Sequence, residues 1–115
     1  KGTQMHLIPG GRALAAFVRA VEARGGVGNV RDRNDLFARS DDGTQDMIHL
    51  NDLGNYLIAL VHFTVLYHAS PVGLPRALSR RDGTRFDAPD PETALLMQEV
   101  TATVVDHLGL SGIRI

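Results

Sequence analysis

The chain contains no cysteine and no tryptophan. Without cysteine it can form no disulfide, no thiolate metal site and no cysteine nucleophile. Aromatic residues make up only 5% of the chain, too few for the stacking platforms that hold bases or sugar rings. Neither sign of charge dominates: 12 Lys and Arg stand against 13 Asp and Glu. The electrostatic footprint of a nucleic-acid binder is therefore missing, and no nucleic-acid partner is expected. Long apolar runs are absent too. The longest, from Leu57 to Tyr67, is broken by His62 and falls far short of the roughly 20 residues that cross a bilayer, so no membrane span is expected. No repeat or low-complexity tract is visible.

The remaining composition, 43% apolar and 22% charged, is that of a folded domain rather than a disordered chain. The 115 residues suit one core, and residues 1–115 read as a single unit. Gln4 to Ile8 (QMHLI) reads as a short buried strand closed by Pro9-Gly10-Gly11. From Arg12 the spacing turns helical, with Leu14, Phe17, Val18 and Val21 on one side and Gly25-Gly26 as the stop. Strand, glycine turn and helix in that order suggest one βα unit of an α/β fold. The polar stretch from Gly26 to Met47 reads as a long loop with one short helical turn near Asp35 and a turn at Asp41-Asp42-Gly43. A second helix, capped by Asn51 or Asp52, runs through Leu53, Leu57, Leu60, Val61 and Thr64 to Tyr67, and Ser70-Pro71 ends it. Its surface is apolar nearly all round, which predicts burial on several sides. Turns follow at Asp82-Gly83 and Pro89. Asp90-Pro91-Glu92 opens a third helix with a buried stripe of Leu95, Leu96, Val100, Val104 and Leu108 and a C-cap at Gly109.

Chemistry concentrates in Asp46-Met47-Ile48-His49, just ahead of the second helix. A carboxylate held against an imidazole Nδ1–H fixes its tautomer and stabilises the imidazolium formed when the histidine accepts a proton. Such a pair serves nucleophilic acyl transfer. The same spacing also suits a turn aspartate and a histidine with no chemical role. Other groupings carry less. His62 and His68, six apart on one helix, face different sides and form no metal pair, and His62 reads as a buried, hydrogen-bonded histidine. Asp41, Asp42 and Asp46 lack the order of a calcium loop. Gly25-Gly26-Val27-Gly28 lacks the helix and lysine of a phosphate loop. Arg80-Arg81 reads as a solvated pair.

The string DMIHLNDLGNYLIALVHFTVLYHASPVGLP, residues 46–75, resembles the C-terminal block of SGNH (GDSL-like) hydrolases: a D-x-x-H motif, a short polar turn, a glycine and a buried helix. The strand-Pro-Gly-Gly-helix of residues 4–24 is similar to the preceding βα unit of that flavodoxin-like fold. The likeness covers residues 4–75 well and the last helix loosely. It implies that this chain is the C-terminal, mostly helical portion of an α/β sandwich, with three helices and one short strand. It implies an esterase, lipase or carbohydrate acyl-esterase, acting without metal or cofactor on an ester-type small molecule or a carbohydrate. Carried over by position, Asp46 matches the triad acid and His49 the general base. The family's G-D-S nucleophile block, oxyanion glycine block and G-x-N-D block are absent. None of the four serines, Ser40, Ser70, Ser79 and Ser111, sits in a glycine-rich strand-to-helix turn.

The chain begins Lys1-Gly2-Thr3-Gln4, without an initiating methionine or a leader pattern. The resemblance therefore leads to the expectation that a preceding segment or another chain supplies the nucleophile, and that this chain alone is inactive. A rival expectation is a small helical interaction module that uses helix 53–67 as a partner or dimer face. Under either one, that apolar helix predicts a partner or a homo-oligomer. His49→Ala separates the two if it abolishes esterase activity, and Leu60→Asp if it destroys association.

Overall fold

The computed structural model describes residues 10–39, 45–79, 81–85 and 87–108, without the side chains of 45–48 and 107–108. The expected strand at Gln4–Ile8, the turn at Asp41-Asp42-Gly43 and the cap at Gly109 lie outside the described residues. Helix α1 (Gly10–Ala23) buries Ala13, Phe17, Val18 and Val21, a stripe at helical spacing. Its end closes as the glycines predict. Gly25 takes φ +75°, its N–H reaches Glu22 O, and the Gly26 N–H reaches Val21 O at 2.9 Å. These paired bonds satisfy the last carbonyls of the helix, and the left-handed position suits a residue without Cβ.

A single 3-10 turn, Arg33–Leu36, stands where one was expected near Asp35, with Asp32 as its N-cap. The Arg33 guanidinium grips the Glu22 carboxylate through two bonds of 3.1 and 3.0 Å and ties this turn to α1. That hydrogen bond, more than any other influence, holds the Glu22 carboxyl below its ordinary range.

The polar stretch is not all loop. Strand β1 (Phe37–Arg39) pairs antiparallel with strand β2 (Gln45–Leu50). Period-two alternation is the usual sign of a strand, and two features hide it here. β1 is three residues long, and the pairing slips inside the hairpin: Phe37 faces Leu50 and Arg39 faces Gln45. Between those pairs only Ala38 stands on one side, while Asp46, Met47, Ile48 and His49 stand on the other.

Helix α2 (Asp52–Tyr67) is capped by Asn51, and it ends at His68, which turns left-handed at φ 55°, before Ser70-Pro71. Helix α3 spans Pro91–Leu108. Asp90 stands at its N-cap position, where its carbonyl accepts the first intrahelical bond from Ala94 N–H. The three helices pack on one another around Phe17, Val21, Val30, Leu36, Tyr56, Leu57, Leu60, Leu96 and Met97. A smaller cluster joins Ala13, Val61, Val65 and Val105. The domain is thus mixed α/β and mostly helical, with three helices and a two-stranded antiparallel sheet among the described residues.

Two expectations about faces are corrected. The buried side of α3 is wider than the expected stripe: Leu96 is buried and Val100 and Val104 pack against the core as expected, Thr93, Ala94, Met97, Gln98, Thr101 and Val105 are buried with them, and Leu95 is exposed. Nor is α2 covered all round. Leu66 and Tyr67 are 64% and 71% exposed, and His62 lies on the surface, its Nδ1 2.9 Å from Ile58 O. Among the described residues, no helix is long and apolar enough to cross a membrane.

Candidate functional site

The strand-to-helix junction His49-Leu50-Asn51-Asp52-Leu53-Gly54 is built as a mount. Asn51 is its centre. Its Oδ1 accepts from Gly54 N–H at 3.0 Å and caps α2. Its Nδ2 donates to Asp35 O at 2.7 Å and to Phe37 O at 3.3 Å. Its backbone N–H donates to Leu36 O at 2.9 Å. One side chain and its own amide therefore lock the 3-10 turn, β1 and α2 together. Gly54 permits this approach: a Cβ there would lie 2.5 Å from Leu36 O and 2.8 Å from Leu50 Cδ2. Asn55 adds a bond from Nδ2 to Leu50 O, and Asp52 Oδ2 accepts from Asp87 N–H at 2.9 Å.

His49 stands two residues before that cap and is exposed. The backbone of Asp46 lies on the same strand, while its side chain is outside the described residues. Asp46 and His49 open and close the four-residue stretch that faces Ala38 alone. Between the two pairs β2 carries three residues more than β1, so the ladder is irregular there. Ser70 Oγ accepts from Val72 N–H, and Ser79 is exposed and pairs with Arg85 in an isolated bridge. Ser40 and Ser111 lie outside the described residues. Among the described residues no group of three or more His, Asp or Glu could hold a metal ion.

Beside the junction runs a groove for which no single sequence signal stood out. One wall is the α2 face carrying Asn55, Tyr56, Ala59 and Phe63; the other is the strap of residues 74–78. Two adjoining hollows of about 80 and 220 Å³ share Tyr56, Ala59 and Leu78. Gln98, 4% exposed, reaches across from α3 to hold the strap. Its Oε1 accepts from Gly73 N–H, and its Nε2 donates to Leu74 O and to Tyr56 Oη, each at 3.0 Å. Tyr56 in turn donates to Pro75 O at 2.9 Å. Burial pushes the Tyr56 phenol above its ordinary value, and the bond from Gln98 opposes this in part. Arg76 is fixed at the rim through a bond to Pro89 O. The strap is attached through Tyr56 and Gln98, partners 19 to 25 residues away in sequence.

No family model matches the chain, and no curated protein or solved structure matches it.

Proposed function

We propose that this chain is the acid/base portion of a serine ester hydrolase of the SGNH type. His49 accepts the proton of a serine hydroxyl as that oxygen attacks an ester carbonyl, and returns it to the leaving alcohol. Asp46 orients the imidazole and stabilises its charged form. The serine comes from a preceding segment or another chain. The observation that carries the reading is the position of Asp46 and His49 at the two ends of the irregular stretch of β2, fixed to the rest of the domain through Asn51. A general base must be reachable and positioned; His49 is exposed and stands two residues before the clamped Asn51, which supports the reading. The test is hydrolysis of p-nitrophenyl esters by the product of the complete reading frame, wild type against His49→Ala. The expected loss in kcat is about 10²- to 10⁴-fold with an unchanged melting temperature. Unchanged turnover refutes the reading.

A second reading, a partner-binding face on α2, is favoured by the exposed Leu66 and Tyr67. Leu60 is 3% exposed, so Leu60→Asp would unfold the chain rather than probe association. Leu66→Asp is the informative variant: it abolishes self-association or partner capture if that face is used, and changes nothing if it is not.

A further inference from the structure

The geometry points to the groove between α2 and the strap as the subsite for a neutral aliphatic chain of the ester substrate. This inference rests on the hydrolase reading of His49. Position links the two: Asn55, which lines the polar end of the groove, donates to the carbonyl of Leu50, the residue next to His49. With the substrate carbonyl placed at His49, its chain is assigned to the α2 wall from Asn55 past Ala59 to Phe63.

The chemistry of the walls selects the occupant. The wider hollow is lined by apolar side chains and by Tyr56, whose only polar atom is already engaged, donating to Pro75 O and accepting from Gln98. Gln98 likewise spends its oxygen and both amide hydrogens on Gly73, Leu74 and Tyr56. A polar ligand group placed there would lose its water and gain no hydrogen bond, whereas a hydrocarbon chain loses nothing. The network has a positive role as well, since it fixes the wall against which a chain must pack. At the polar end the described lining residues include Asp52, Asp87 and the cation Arg76. A carboxylate loses more hydration than a hydroxyl or an ester on entering the apolar hollow, which favours an uncharged ester or alcohol of the same length.

The test titrates the ¹⁵N-labelled chain with 1-hexanol and with hexanoate and follows amide shifts, in the wild type and in Ala59→Phe. Ala59 is an exposed helical position, so the variant folds while its ring fills the groove. The expected result is saturable shifts at Tyr56, Ala59, Phe63 and Leu78 with hexanol, weaker binding of hexanoate by about fivefold or more, and loss of the hexanol response in Ala59→Phe. No shifts, shifts centred on Leu66 and Tyr67, or hexanoate bound as tightly as hexanol would each overturn the assignment. The titration involves no catalysis, so it fails or succeeds independently of His49. If hexanol binds in the groove but His49→Ala leaves esterase activity intact in the complete protein, the ester assignment is overturned together with the hydrolase reading.

Discussion

Gly54 sits at the third position of α2, where replacement of glycine by alanine ordinarily stabilises a helix by about 0.5–1 kcal/mol. At this site the sign should reverse. The added Cβ would lie 2.5 Å from the Leu36 carbonyl oxygen and 2.8–3.0 Å from Leu50 carbons. The oxygen belongs to the backbone and cannot swing aside as a flexible side-chain end can. Overpacking of this kind costs about 1–3 kcal/mol. The displaced carbonyl is also the acceptor of the Asn51 N–H, and weakening that bond adds about 1 kcal/mol. Set against the propensity gain, Gly54→Ala should destabilise by about 1–3 kcal/mol. Gly11, in the first turn of α1, has nothing among the described residues within 4 Å of an added Cβ, so Gly11→Ala should stabilise by about 0.5–1 kcal/mol. Urea denaturation followed by circular dichroism reads both as shifts of the midpoint at constant slope. A Gly54→Ala midpoint equal to or above that of wild type would refute the close approach on which the His49 mount depends.

Three further outcomes follow from the same contacts. Asn51→Asp keeps a good cap for α2 but replaces the donor to Asp35 O and Phe37 O by an acceptor; it should cost about 2–3 kcal/mol in urea denaturation despite the equal capping rank of the two residues. Thr101 is fully buried and its Oγ1 has no hydrogen-bond partner among the described residues, so Thr101→Val should raise stability by about 1 kcal/mol, read by the same assay. The raised Tyr56 phenol favours the neutral form in the fold. Its contribution is therefore complete below the ordinary value of 10.0 and lost as pH climbs through the folded value. Tyr56→Phe should flatten that alkaline loss in a pH series of melting temperatures, while lowering stability at neutral pH because the Gln98 donor and the Pro75 carbonyl lose their partner.

Local signals were legible where chemistry and spacing agree. Leu14, Phe17, Val18 and Val21 marked α1, and the Gly25-Gly26 pair marked its end, because a left-handed closure needs glycine. Asn51 was legible as a cap; its second role, clamping Asp35 and Phe37, was not, since those partners lie 16 and 14 residues away. The hairpin was hidden because β1 is only three residues long and its pairing with β2 is irregular. The stripe of α3 was legible at Leu96, Val100 and Val104, but not the burial of Thr93, Gln98 and Thr101, because an apolar count passes over threonine and glutamine. Gln98 and Thr93 are buried through hydrogen bonds to the strap and to Val27 O, partners that only the folded chain brings near. His62 faces solvent because α2 is packed on one side only.

The proposal that His49 serves as the base of a serine hydrolase is tested most directly by a serine-reactive fluorophosphonate probe, read by intact mass on this chain and on the product of the complete reading frame. The account predicts a single adduct on the complete product, much slower labelling of its His49→Ala variant, and no adduct on residues 1–115 alone. An adduct on the 115-residue chain, or none on the complete product, would contradict it.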